Sequence, residues 1–438
     1  MLAVIMAGGR GTRVASLAAG LPKPMIPVLG KPVLQHQIEE LKKAGFKKIL
    51  IITGYLSEKI KDFFKNGEDY GVSIEYKTET EPLGTAGALF EWPLALEDDF
   101  LLLCGDVLFN VNFERFINFH YKNKALATLA AHPNSHPYDS AVLETRENGK
   151  VYGWLNKEDP RSYYKNLVNA GLHIISRELL HITKPASKKV DLDRDVLKPN
   201  ISTGRIFAYN TPEYIKDMGA PERLMEVEEE LRLGIPAIRN LSSGRKAVFL
   251  DRDGTLNELR PPASVTGELH FITGPDGMRL LPGAAAAVRL INESGFLAIV
   301  ITNQPVIARG QCTLEDLDLI HKKLETDLGK EGAYINGLYF CPHHPHKGFA
   351  GEIPELKIDC DCRKPKPGML LAAAKKYNII LSESWMIGDS RLDVEAGKNA
   401  GCKTAYIYSG SGVDPGAVGA NITVKSLEEA VSVIFGKK

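Results

Sequence analysis

The chain has 438 residues, too many for one ordinary hydrophobic core, which implies two domains. Hydrophobic residues make up 44% and charged residues 25%, the balance of a soluble globular protein, and no apolar run is long enough to cross a bilayer. Lys plus Arg and Asp plus Glu number 54 each, so the formal net charge is zero, which argues against a broad nucleic-acid surface while leaving room for local anion pockets.

In chain order, the opening LAVIM reads as a buried strand running into a glycine loop rather than a signal peptide, since no basic flank precedes it. Without a secretion signal, the six cysteines suggest free thiols or a metal site and a cytoplasmic protein, not disulfides. KKILIIT and DFLLLCGD are further apolar strands, and VLQHQIEELKKAG and SEKIKDFFKNG are amphipathic helices, each closed by glycine. RLMEVEEELRLGI is a charged helix, read as an interdomain brace, a solvated surface, or a dimer helix that would make the chain a homo-oligomer. PAIRNLSSGR reads as a linker, and the alternation restarts at KAVFLDRDGT. The fold class expected is α/β, two Rossmann-like domains with mostly parallel sheets, spanning residues 1–238 and 246–438.

The loop AGGRGTR directly follows the first strand. Gly8, Gly9 and Gly11 let backbone N–H groups approach a phosphate, and Arg10 and Arg13 add charge where a triphosphate would sit; Thr12 completes the loop. A glycine loop alone is also what a tight turn needs. Support comes from Lys23, stiffened between prolines, from Gly84 and Thr85 in EPLGTAGAL, and from Asp106 at the carboxyl end of an apolar strand, where open α/β sheets bind ligands. With those residues in view, the half from Met1 to about Gly234 resembles the sugar-1-phosphate nucleotidyltransferases, particularly the mannose- and heptose-1-phosphate guanylyltransferases. The resemblance implies that AGGRGTR and LGTAGAL bind the nucleotide, that CGD and DMGAPERL supply the Mg²⁺ aspartates Asp106 and Asp217, and that Lys157, Asn169 and Gly171 bind the sugar phosphate. Such chemistry needs alignment and charge neutralisation more than covalent help, which Arg13 and Lys23 would provide.

In the second half, FLDRDGTLN sets Asp251 at a strand end and Asp253 two residues later: one carboxylate to attack phosphorus, the other to move protons. A lone DxD is also a common cap or loop. Two more strand ends strengthen the case: Thr302 and Asn303 close FLAIVITNQ, and Asp389 closes WMIGD. Lys364 supplies a cation for the pentacoordinate anion. Asp, Thr, Lys and Asp in that order resemble the haloacid dehalogenase (HAD) superfamily of phosphatases, which implies a HAD-like fold and Mg²⁺ held by Asp251, Asp389 and the backbone of Asp253.

YFCPHHP and DCDCRKP contribute Cys341, His343, Cys360 and Cys362, a Cys₃His set suited to a structural Zn²⁺, with His344 or His346 as substitutes for His343. This loop, with Arg309 and Arg363 as substrate contacts, resembles the heptose-1,7-bisphosphate 7-phosphatases and shares much with the histidinol-phosphate phosphatases. Two departures stand out: TNQPV where the family has TNQSG, and Ser390 where a basic residue often follows the metal aspartate. Together the resemblances imply small-molecule partners, GTP and heptose phosphates, and no nucleic-acid or membrane partner. Removing the 7-phosphate of a heptose bisphosphate would leave the 1-phosphate that a guanylyltransferase consumes, giving GDP-D-glycero-α-D-manno-heptose. The alternatives are a mannose-1-phosphate guanylyltransferase joined to a histidinol-phosphate-type or broad phosphatase, and a binding or regulatory protein without turnover.

Overall fold

A computed structural model describes residues 1–9, 20–92, 96, 98–218, 221–259, 271–408, 410 and 413–436. It divides into two compact units. The first comprises Met1–His132, Leu143–Trp154 and Asn169–Leu241, and the second Pro133–Val142, Leu155–Val168 and Ser242–Lys438. The contiguous split expected from the sequence therefore omits two stretches that group with the second unit. Side chains of the helix Leu314–Lys330 help hold one of them there: Tyr164 N–H donates to Thr326 Oγ1 at 2.9 Å and Asn166 N–H to Glu325 Oε2 at 2.8 Å. Polar residues that look like loop in sequence give no sign of such a partner.

In the first unit, β1 (Leu2–Ala7), α1 (Val33–Lys43), β2 (Lys48–Thr53), α2 (Ser57–Phe64), β3 (Ser73–Thr78) and β4 (Asp99–Cys104) follow one another. Strands β4, β1, β2 and β3 lie side by side in parallel, and β1 sits between β4 and β2. Ala3, Val4 and Ile5 of β1 are all fully buried, as a strand covered on both faces requires. Helix α1 buries Val33, Leu34, Gln37, Ile38 and Leu41, one stripe at helical spacing, and carries Lys42 and Lys43 in its last turn, where the helix dipole favours cations. Gln37 is the polar member of that stripe. Its amide donates to Cys104 O at 2.8 Å and Val107 O at 2.7 Å, tying α1 to the turn between β4 and β5 (Val107–Asn110) that carries Asp106.

Strand β6 (Val168–Ser176) runs antiparallel to β4, so the sheet is mixed at that side. Strand β7 (Tyr214–Asp217) pairs antiparallel with β5, and α3 (Pro221–Arg232) follows it. The stretch expected to be a linker begins instead as a short helix, Ile235–Arg239. Pro236 fits its first turn, and Ile235 packs against the cluster of Val28, Val33 and Tyr214.

The second unit holds a six-stranded, wholly parallel sheet. Its elements are β8 (Ala247–Leu250), α4 (Ala284–Glu293), β9 (Leu297–Asn303), α5 (Leu314–Lys330), β10 (Gly337–Cys341), α6 (Gly368–Tyr377), β11 (Trp385–Gly388), α7 (Arg391–Ala400), β12 (Lys403–Ile407), β13 (Ile422–Val424) and α8 (Leu427–Phe435). The spatial order is β10-β9-β8-β11-β12-β13. The chain winds outward from β8 through β9 and β10, then returns to the other side of β8 through β11. The carboxyl end of β8 is therefore a topological switch point, where a crevice opens. Every residue of β8 is fully buried, which fixes where its last residue delivers Asp251.

Helix α5 starts with a capping box: Asp316 N–H donates to Thr313 Oγ1 at 3.0 Å, and Thr313 N–H to Asp316 Oδ2 at 3.1 Å. Its buried Leu317, Ile320, Leu324 and Leu328 pack into the core of this unit. No described helix is long and apolar enough to cross a membrane. Leu324→Ala removes a fully buried side chain from that core. It should lower the unfolding free energy by about 2–5 kcal/mol, read as a shift of the urea midpoint of the second unit's transition at unchanged slope.

Candidate functional site

In the first unit, a cavity of about 700 Å³ opens at the carboxyl ends of the parallel strands. Its walls include Gly8 and Gly9 after β1, Glu79 after β3 and Gly105 and Asp106 after β4, together with Lys23 and Thr85. Arg10, Gly11, Thr12 and Arg13 lie outside the described residues. The Lys23 ammonium pairs with the Asp106 carboxylate, and the Arg223 guanidinium with that of Asp217. In the β5–β7 pairing Asp217 faces Val107, and Met218 N–H donates to Asp106 O at 2.8 Å. The register thus sets two aspartates far apart in sequence on adjoining backbone positions, each already matched to a cation.

The LGTAGAL loop is held by a segment that sequence reasoning passed over, Val190–Asp193. Thr85 Oγ1 accepts from Leu192 N–H at 2.7 Å and donates to Asp191 Oδ2 at 3.3 Å. Gly84 has φ +84°, and a Cβ there would come within 2.4 Å of Val190 O, so only glycine fits. Asn169 Nδ2 donates to Asp193 Oδ1 at 3.2 Å, while Asn169 Oδ1 lies 3.0 Å from His173 Nε2 and accepts from Gly171 N–H at 3.3 Å. Burial pushes Asp193 up to about 6 and His173 down to about 4, so the latter is a neutral ring beside the cavity it lines. Glu79, also on the wall, is pushed up to about 7 by burial and by Glu91. Short acidic stretches such as VDLD look like ordinary surface in sequence, which is why they gave no signal.

Lys157 falls elsewhere. It belongs to the stretch that groups with the second unit, its side chain is 58% exposed, and its ammonium lies 3.8 Å from Glu158 Oε1.

In the second unit, Asp251, Asp389 and Asp393 each present a carboxylate oxygen within 4.8 Å of the others. Asp251 leaves β8, Asp389 leaves β11, and Asp393 lies in the first turn of α7. Three carboxylates in one place, two of them buried and Asp389 half-buried, repel one another. Burial and Asp393 push Asp251 up to about 8, and burial and Asp393 likewise push Asp389 up to about 7. A divalent cation would reverse that logic, so the donor set fits one. Lys364 is the cation already present. Its ammonium lies 2.8 Å from Asp251 Oδ1 and 2.5 Å from Asp393 Oδ1, and it donates to Ile301 O at 2.9 Å. Burial opposes its charge, but Asp251 and Asp393 prevail and hold it above the ordinary lysine range. Asp393, one helical turn beyond Asp389 in WMIGDSRLD, thus anchors Lys364 and belongs to the site.

Thr302 and Asn303 end β9 beside this cluster. Thr302 Oγ1 accepts from Gln304 Nε2 at 2.8 Å. Asn303 braces the lysine loop through both faces of its amide, accepting from Lys364 N–H at 3.0 Å and donating to Lys364 O at 3.1 Å. The two departures have local explanations. Pro305 heads the short helix Pro305–Ala308, where a missing N–H costs nothing, and Ser390 is the N-cap of α7, its backbone N–H donating to Asp393 Oδ2 at 3.0 Å and its hydroxyl to the same oxygen at 2.6 Å.

Cys341, His343, Cys360 and Cys362 gather around one point, with Sγ–Sγ distances of 3.3–3.5 Å and His343 Nδ1 3.3 Å from Cys362 Sγ. A tetrahedral site with metal–sulfur bonds of about 2.3 Å has sulfur–sulfur edges of roughly 3.8 Å, so the set could close on a metal with a small outward adjustment. Of the three candidate histidines His343 is the one in the cluster; His344 instead places Nε2 3.4 Å from Arg309 Nη2. Arg363 Nη1 donates to His343 O at 3.2 Å, linking the cluster to the loop that bears Lys364.

Residues 2–233 match the nucleotidyl transferase family, and residues 361–429 match the HAD-hydrolase-like family. The chain is 36% identical over 170 residues to D-glycero-beta-D-manno-heptose-1,7-bisphosphate 7-phosphatase of Rhodopseudomonas palustris, a match covering 39% of this chain and 87% of that protein. It is 37% identical over 197 residues to the Pasteurella multocida protein of the same name, covering 44% of this chain and 99% of that one. It is 32% identical over 259 residues to mannose-1-phosphate guanylyltransferase of Mycobacterium tuberculosis, covering 58% of this chain and 70% of that protein.

Gly254 offers a test of the carboxylate cluster. Its φ is +80°, and a Cβ there would lie 2.0 Å from Asp389 Oδ2. Gly254→Ala should displace Asp389 and cut phosphate release roughly 10²-fold while leaving pyrophosphate release by the first unit unchanged, both followed by steady-state assays on one preparation.

Proposed function

Because the chain belongs to the nucleotidyl transferase family over its first half and to the HAD-like phosphatases over its second, we propose that it performs two consecutive steps toward a nucleotide-activated heptose. The second unit would remove the 7-phosphate of D-glycero-D-manno-heptose 1,7-bisphosphate. The first would transfer GMP from GTP to the resulting heptose 1-phosphate, releasing pyrophosphate and forming GDP-D-glycero-α-D-manno-heptose. The observation that carries this reading is the fusion itself. Relatives of the second half are named heptose-1,7-bisphosphate 7-phosphatases, and the product of such a reaction is a sugar 1-phosphate, the nucleophile that the first half's family uses. The guanylyltransferase relative supports guanine as the base. It also supports a second reading, with mannose 1-phosphate as the acceptor.

In the first unit, Asp106 and Asp217 would hold Mg²⁺, whose charge would screen the triphosphate from the attacking sugar phosphate. Lys23, now on Asp106, would turn to the phosphates, and Gly8, Gly9 and the Thr85 loop would seat the nucleotide. Asn169 and Gly171, beside Asp193, would meet the sugar.

In the second, Asp251 and Asp389, with the backbone carbonyl of Asp253, would hold Mg²⁺, which lets an anionic carboxylate approach an anionic ester. Asp251 would attack phosphorus, Lys364 and Thr302 would bind the phosphoryl oxygens, and Asp253 would protonate the leaving alcohol and then deprotonate water. Arg309 and Arg363 would supply charge to a second substrate anion. Cys341, His343, Cys360 and Cys362 would hold a structural Zn²⁺ that orders the loop leading to Arg363 and Lys364.

Incubation with the bisphosphate, Mg²⁺ and each nucleoside triphosphate in turn should give a GDP-sugar with GTP alone. Better use of UTP or CTP would overturn the base assignment, and faster turnover of mannose 1-phosphate than heptose 1-phosphate the sugar assignment. Asp106→Ala should cut pyrophosphate release by at least roughly 10²-fold and spare phosphate release. Asp251→Asn should do the converse, with the fold retained by circular dichroism. Elemental analysis should find about one zinc per chain, lost in Cys360→Ser; zinc content unchanged by that substitution would remove these residues as its ligands.

A further inference from the structure

Arg252 stands between the two aspartates of the DxD segment, yet its side chain is fully buried. Taking a guanidinium out of water is costly unless its donors are matched by acceptors. Here the matches converge on one carboxylate. Nε donates to Asp253 Oδ1 at 3.2 Å, and Nη2 donates to Oδ1 at 3.0 Å and to Oδ2 at 2.9 Å. Nη2 also donates to Gln304 Oε1 at 2.9 Å. Nη1 lies 3.2 Å from His321 Nε2, and because a guanidinium has only donors, that nitrogen must be the acceptor of a neutral ring.

Asp253 is secured from other sides too. Gln304 Nε2 donates to its Oδ2 at 2.8 Å, and Asn257 Nδ2 to its Oδ1 at 3.0 Å. Both oxygens therefore receive more than one hydrogen bond. The donors come from the loop after β8 and from the end of β9, and the guanidinium is backed by α5, three parts of the unit that must be in register for the arrangement to exist.

We propose that Arg252 is a positioning residue for the phosphatase reaction, aiming the Asp253 carboxyl group at the ester oxygen, with Gln304 and His321 locking the guanidinium in place. This rests on the reading of Asp253 as the group that moves protons. In the first half-reaction, an Asp251 oxygen bonds to phosphorus as the phosphorus–ester oxygen bond breaks. The ester oxygen takes the proton of Asp253 and leaves as the alcohol. Asp253 is then a carboxylate, the form that Arg252, Gln304 and Asn257 receive with their hydrogen bonds. In the second, water gives a proton to Asp253 while its oxygen bonds to phosphorus, the acyl-phosphate bond breaks, and Asp251 is restored. Over the cycle one proton thus passes through Asp253, from the water to the leaving alcohol.

The test uses leaving groups. An aryl phosphate such as p-nitrophenyl phosphate expels a stable phenolate and needs no proton donor, whereas a primary sugar-phosphate ester does. For the full chain, kcat/KM for each reports the first half-reaction. Arg252→Lys keeps the charge but loses the planar fork. It should lower kcat/KM roughly 10²-fold for the primary sugar-phosphate ester that the unsubstituted chain hydrolyses fastest, and only a few-fold for p-nitrophenyl phosphate. Asp253→Asn, measured in parallel, should show the same selectivity. Equal losses on both esters in Arg252→Lys, with Asp253→Asn selective, would overturn the positioning role alone. Equal losses in Asp253→Asn would overturn the reading of Asp253, and the proposal with it. An Arg252→Ala variant that retains full activity on both esters would also overturn it.

Discussion

Phosphate esters are anions, and the groups that must approach them here are anions as well. That repulsion is the constraint around which both units are built. Carboxylates crowded at the mouth of a parallel sheet cannot all remain charged without cations nearby, and the elevated Asp251 and Asp389 record that strain. In each unit the answer is local and positive. Lys23 lies on Asp106 and Arg223 on Asp217 in the first; Lys364 lies between Asp251 and Asp393 in the second.

The sheets make the crowding possible. A buried parallel strand ends where its burial ends, so a residue one step past the apolar run is delivered to a defined point. Leu250 is wholly enclosed and Asp251 follows it. Helices and loops then trim the geometry with hydrogen bonds to backbone, as Gln37 does at the turn bearing Asp106 and Asn303 does at the loop bearing Lys364. Buried polar side chains of this kind gain little net stability from each bond, but leaving one unmade is expensive, which makes the arrangement specific.

Much of this was legible in the order of residues. The alternation of apolar runs and amphipathic stretches predicts both sheets, and strand-end aspartates predict where chemistry gathers. The cysteine and histidine spacing predicts the cluster but leaves three histidines open; His343 is the one the loop turns inward. Other residues were illegible for a physical reason: their importance comes from contact across long separations. Asp193 matters because Asn169 reaches it, and Arg252, although it stands between Asp251 and Asp253, because His321 of α5 and Gln304 enclose its guanidinium. The segments 133–142 and 155–168 likewise fall inside the span 1–238 expected to form the first domain, and only their packing assigns them to the second unit.

Sequence alone therefore determined the two-part α/β organisation, the glycine-rich loop after the first strand, the aspartates at strand ends and the cysteine and histidine set, since each rests on periodicity or on residues close together in the chain. Tertiary structure decided the rest. Strand register set Asp217 beside the Asp106 turn, the switch point at β8 brought Asp251 to Asp389 and Asp393, and enclosure converted Arg252 from an unremarked charge into a clamp. Register, crossover and burial arise only when distant segments pack, so no local pattern could contain them.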